Sequence, residues 1–173
     1  MNFPYEWKDS KKILIGHSRG GGDVILAGRN LQEEIDAIVT WAAIADIEER
    51  FPKGDQLSEW KENKVMHVQN ARTNQMMPHD ISFYQDYLDN QDSLHIESAA
   101  KSLGIPWLIL HGDQDQAVSL DNAKRLQSWS NTQLHVIANA THTFNTAHPF
   151  NQENLPIEAQ ELVDITRSFL DQL

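Results

Sequence analysis

The chain has 173 residues, 40% of them hydrophobic, with a formal net charge of -11 and no cysteine. This is enough chain for one domain with a real core. The acidic balance argues against nucleic acid, whose phosphates need a basic surface. The missing cysteines exclude disulfides, thiolate chemistry and cysteine-held metals, and they fit a reducing, cytoplasmic setting. No apolar run approaches the ~20 residues that span a bilayer. Residues 1–10 carry no apolar leader core, so no membrane partner is expected.

In chain order, Lys12–Ile15 reads as a short buried strand. It enters Gly16-His17-Ser18-Arg19-Gly20, a Gly-x-Ser-x-Gly motif. A strand that turns this sharply into a helix lifts the serine hydroxyl above the sheet. Glycines on both sides of the turn spare it a crowding β-carbon. Asp23–Asn30 reads as the helix that follows and Ile35–Ala43 as a second buried strand. Strand, helix and strand joined this closely form a parallel βαβ unit.

The stretch from Ile44 to Ser102 is richer in charge, amide and aromatic residues than one crossover requires. A helix is expected over Gln56–Asn63 and a short strand over Val65–Gln69. Pro78 suits the first position of another helix, carrying Phe83, Tyr84, Tyr87 and Leu88. Asp92 or Ser93 is expected to cap a helix running to Lys101. Residues 47–102 therefore read as a helical insertion. Residues 1–46 and 103–173 read as the core.

Alternation then resumes. Trp107–Leu110 is a strand, Leu120–Trp129 a helix capped by Ser119, Gln133–Ala138 a strand, and Ile157–Leu170 a closing amphipathic helix. The fold class is α/β, with about four parallel strands and flanking helices.

Three sites sit just past predicted strand ends, the edge where parallel sheets build ligand sites. They are Ser18, the turn His111-Gly112-Asp113-Gln114-Asp115, and Thr141-His142-Thr143-Phe144. An alcohol such as Ser18 is a poor nucleophile until an imidazole accepts its proton, and His142 has the right chemistry near neutral pH. A carboxylate must then orient the imidazole, and Asp115 is assigned that role over Asp113, which suits a turn-stabilising one. The backbone N–H of Arg19 is expected to help hold an oxyanion. His148 is a weaker base candidate because Pro149 follows it. His17, fixed on the turn, is expected to pack or line the site, with its ring away from the hydroxyl.

Some residues keep two readings. Trp41 suits a pocket wall or the core. Met76, Met77, Phe83, Tyr84 and Tyr87 suit a substrate wall or packing of the insertion against the core. Arg19 and Arg72 suit a substrate carboxylate or surface ion pairs. The eight histidines form no metal-binding pattern, so no metal is predicted, and the chemistry needs no cofactor.

On GHSRGG, HGDQDQAV and ATHTF, the chain resembles the α/β-hydrolase superfamily. It is most similar to esterases and peptidase-like members related to dienelactone hydrolases and prolyl-oligopeptidase catalytic domains. The resemblance covers nearly the whole chain but only the C-terminal part of the family fold. It implies a partial α/β-hydrolase fold without the N-terminal strands, and with the insertion acting as a cap over the acyl or leaving-group pocket. It maps the nucleophile onto Ser18, the acid onto Asp115 and the base onto His142. The family's second oxyanion donor belongs to the region before the nucleophile. The expected activity is a serine hydrolase acting on a small ester or peptide through an acyl-enzyme. The alternatives are a serine peptidase of the same fold, or a silent remnant that serves as a binding module. The first strand would then keep an open apolar edge that invites self-association.

Overall fold

A computed structural model describes residues 10–70 and 73–173. Residues 1–9, on which the reading of the leader rests, and Arg72 lie outside the described residues. The chain divides into two units, one of residues 1–45 and 96–173, the other of residues 46–95.

The larger unit is built on four short, β-rich apolar runs: β1 (Ile13–His17), β2 (Ala37–Trp41), β5 (Trp107–Gly112) and β6 (Leu134–Ile137). They pair in parallel in the order β1-β2-β5-β6. The period-2 geometry of a strand sends alternate side chains to opposite faces. Val39, Leu108, Leu110 and Ile137 meet Ala159 and Leu162 of α6 (Ile157–Leu170) in one core cluster. On the other side, Ile38 lies beside Gly28 of α1 (Arg19–Leu31). There α1 packs with α4 (Ile96–Ser102), which in turn packs with α5 (Leu120–Ser130). Trp41 belongs to the core side of its two readings: it packs on the α6 cluster, and its indole N–H donates to Thr166 Oγ1 at 3.3 Å.

The helix after the serine starts at Arg19, earlier than expected from Asp23. Gly20, Gly21 and Gly22 have poor intrinsic helix propensity, but packing overrides it. A β-carbon on Gly21 would run into Ala43, so the helix needs a glycine there to lie close to the end of β2. Helix α4 starts at Ile96 rather than after Asp92 or Ser93, because Ser93 Oγ donates backward to the Asn90 carbonyl at 2.8 Å and closes a turn. Although expected within the insertion, α4 groups with the larger unit. Ser119 does occupy the N-cap of α5, but its hydroxyl makes no capping bond. It accepts instead from Asn122 Nδ2 at 3.3 Å.

The smaller unit holds α2 (Asp55–Asn63), β3 (Val65–Gln69), β4 (Met76–Asp80) and α3 (Ser82–Asp89). Pro78 is not the start of a helix. It lies in β4, opposite His67 in an antiparallel ribbon of two strands. Each strand of such a ribbon has an outward edge, where a residue lacking an N–H is tolerated. Phe51 is the centre of this unit's core, with the rings of Phe83, Tyr84 and Tyr87 at 5.5, 5.0 and 5.0 Å. Trp60 is buried beside it, and its indole N–H donates to the His79 carbonyl at 2.9 Å, joining α2 to β4. The aromatic residues singled out from the sequence thus pack on one another.

Candidate active site

All four parallel strands end on the same edge of the sheet, and the three chemical residues follow three of them. Ser18 lies between β1 and α1, Asp115 follows β5, and His142 follows β6.

Ser18 has φ 59° and ψ -121°, a conformation that a residue with a β-carbon rarely adopts. It is held there by three backbone bonds. Its N–H donates to the Trp41 carbonyl at 2.9 Å, and its carbonyl accepts from Gly21 at 3.1 Å and Ile44 at 3.2 Å. The two glycines of the motif differ in role. A β-carbon on Gly16 would collide with the Gly20 carbonyl, whereas one on Gly20 would meet open space. The close approach therefore needs glycine at 16 and 21 and does not need it at 20.

Ser18 Oγ lies 3.0 Å from His142 Nε2, and His142 Nδ1 lies 2.8 Å from Asp115 Oδ2. The Asp115 side chain has no exposed surface, and that of His142 is 22% exposed. Asp115 Oδ1 accepts from the backbone N–H groups of Ala117 and Val118 at 2.8 and 2.9 Å. A carboxylate can only accept, so His142 carries its proton on Nδ1. Its Nε2 lone pair then faces the serine hydroxyl.

The turn and the loop that supply this pair are stitched together. Asp113 Oδ1 accepts from the Asn139 N–H at 2.7 Å, the Asp113 N–H donates to the Ile137 carbonyl at 3.2 Å, and the Gln114 N–H donates to the Ala140 carbonyl at 3.0 Å. Asp113 thus stabilises the neighbouring loop, where the sequence suggested only its own turn. Gly112 permits the approach, since a β-carbon there would strike the Ala140 carbonyl.

Two histidines enter the site that sequence reasoning passed over or gave only a packing role. His17 Nε2 donates to the His142 carbonyl at 2.7 Å, and its ring lies 4.6 Å from that of His142. His111 is fully buried. Its Nε2 donates to the Val118 carbonyl at 2.9 Å and stands 3.3 Å from Asp115 Oδ2. Burial pushes its pKa below the ordinary value, against the opposing pull of the Val118 carbonyl and Asp115. The only sequence signal for His111 was its place in HGDQD. Arg19 is the first residue of α1, so its amide lies at the positive end of the helix dipole. The histidine that lies against both Ser18 and Asp115 is His142, not His148. Among the described residues, no group of His, Asp and Glu side chains is arranged to hold a metal ion, and no helix is long and apolar enough to cross a membrane.

No protein-family model matches the sequence, nor does any curated protein. Solved structures do match the fold. Est1E from Butyrivibrio proteoclasticus superposes with a TM-score of 0.67 at 21% identity, over 94% of this chain and 61% of that one. The monoacylglycerol lipase of Paleococcus ferrophilus gives 0.66 at 15% identity, over 97% and 71%. The esterase domain of a Rhodothermus marinus protein gives 0.53 at 18%, over 77% and 53%. The chain has part of the α/β-hydrolase fold, and it spans between 53% and 63% of the length of the first structures it matches.

Proposed function

We propose that the chain carries the catalytic residues of a serine hydrolase that cleaves an ester through an acyl-enzyme. The observation that carries this reading is the continuous hydrogen-bonded chain from Ser18 through His142 to Asp115, at 3.0 and 2.8 Å, below a serine held in a strained turn. His142 Nε2 takes the proton from Ser18 Oγ as the oxygen attacks the ester carbonyl carbon. Asp115 holds the resulting imidazolium through Nδ1–H and keeps its own charge. The oxyanion is held by the Arg19 amide at the start of α1. His142 then gives its proton to the departing alkoxide. In the second half-reaction Nε2 takes a proton from water, the hydroxide attacks the acyl carbon, and Ser18 Oγ leaves with the proton returned to it.

An ester is favoured over a peptide because the structures with the matching fold include one named as an esterase domain and one named as a monoacylglycerol lipase. Subfamily kinship with dienelactone hydrolases remains part of the proposal, resting on the HGDQDQAV turn.

Labelling with a fluorophosphonate probe tests the reading. The wild-type chain is expected to label at Ser18 and Ser18→Ala to lose the label completely. A folded wild-type chain that takes no label, or a Ser18→Ala variant that still does, would overturn it.

A further inference from the structure

The HGDQD turn contains a buried histidine that the proposed reaction does not use. His111 sits near the end of β5, one turn before Asp115. Its Nε2 donates to the Val118 carbonyl at 2.9 Å, and Val118 in turn donates its N–H to Asp115 Oδ1 at 2.9 Å. The same Nε2 faces Asp115 Oδ2 at 3.3 Å, the oxygen that His142 Nδ1 reaches at 2.8 Å. Because a carbonyl can only accept, the proton of His111 must lie on Nε2. The other nitrogen, Nδ1, is buried with no hydrogen-bond partner among the described residues. Protonating it would bury an unsatisfied charged donor, which is costly. The ring is therefore held as one neutral tautomer.

We propose that His111 is a positioning residue for Asp115. Its Nε2–H pins the Val118 carbonyl and borders Oδ2, so the carboxylate keeps one rotamer and offers that oxygen to His142. His111 touches no reacting atom and acts only through Val118 and Asp115. The assignment rests on the Ser18–His142–Asp115 reading and adds a residue to it.

The test compares two amides on the full chain. In His111→Gln the amide reaches toward the Nε2 position. In His111→Asn it reaches only the Nδ1 position. With a small chromogenic ester, His111→Gln is expected to keep kcat within about threefold of wild type, while His111→Asn loses on the order of 10–100-fold in kcat at nearly unchanged KM, the scale of a slight misplacement in an active site. The far-downfield proton of the His142–Asp115 hydrogen bond in the NMR spectrum should persist in wild type and His111→Gln and vanish in His111→Asn. A purely structural residue would lower melting temperature in both variants without moving kcat per folded molecule or that resonance. Equal kcat and an unchanged resonance in His111→Asn would overturn the proposal, as would failure of His111→Gln to the same degree.

If a variant does not fold, nitrogen-15 NMR of the wild-type ring decides. The Nε2–H tautomer supports the proposal, and an Nδ1–H tautomer or a charged ring at neutral pH overturns it. Failure of the underlying reading shows itself separately, as a folded wild type that takes no fluorophosphonate label. The resonance comparison can still be made on that protein.

Discussion

Ser18 combines a chemical role with a backbone cost. A residue with a β-carbon at φ 59°, ψ -121° carries about 1–3 kcal/mol of strain, and glycine relieves it. Ser18→Gly and Ser18→Ala both remove the hydroxyl, so both should lose the fluorophosphonate label. Ser18→Gly should be the more stable by about 1 kcal/mol, read from denaturant unfolding. The glycines around it give a second contrast. Gly20→Ala fills open space in a helix and should be neutral or stabilising by up to about 1 kcal/mol. Gly16→Ala collides with backbone and should cost about 1–3 kcal/mol or more. Equal melting temperatures for the two alanine variants would contradict the packing described for the turn. His111 gives a pH dependence. Its folded pKa lies below the ordinary histidine value because the ring is buried. As pH falls below about 6.5, the unfolded chain therefore takes up a proton that the folded ring refuses. This contribution to stability is present above that pH and is lost progressively as pH falls toward the folded pKa. The slope of unfolding free energy against pH between 7 and 5 should be shallower in His111→Gln.

At the scale of elements, the sequence showed most where one local rule governs. The four parallel strands were readable because buried parallel strands are continuous apolar runs. Helix α6 was readable to its bounds because Leu162, Ile165 and Phe169 repeat at helical spacing. The order of Ser18, Asp115 and His142 was likewise readable, each just past a strand end. What escaped depends on distant partners. The start of α1 runs through Gly21 and Gly22, which the close approach of Ala43, Ile44 and Ile96 justifies. Pro78 fits a helix start locally, yet its ribbon with His67 is set by pairing. His111 is a common residue until burial and Val118 give it one tautomer. Phe51 was missed because an isolated aromatic beside Pro52 has no periodicity. It is nonetheless the hub of the smaller unit's rings. Phe51→Ala should cost about 3–5 kcal/mol, seen as faster amide exchange confined to residues 46–95.

At the scale of the whole molecule, β1 is, among the described residues, the end strand of the sheet, with no strand on its outer side. Ile15 on it is 45% exposed. An apolar strand at the end of a sheet templates pairing with another chain, so self-association through β1 is the expected behaviour. Sedimentation should show concentration-dependent association that Ile15→Lys reduces. Unchanged sedimentation of the variant would remove the edge from consideration.

The chain leaves the larger unit after Ala45 and returns to it at Ile96. The side chains of Ile44 and Ile96 converge on one point of α1, where a β-carbon on Gly22 would lie 2.9 Å from the first and 3.0 Å from the second. Departure and return thus share a single doorway, and everything between is a side excursion that the sheet does not need for its own pairing. Such a layout makes residues 46–95 an exchangeable cassette. A short flexible bridge in their place should leave the sheet and the Ser18–His142–Asp115 geometry standing, read from an unchanged far-downfield proton of the His142–Asp115 hydrogen bond.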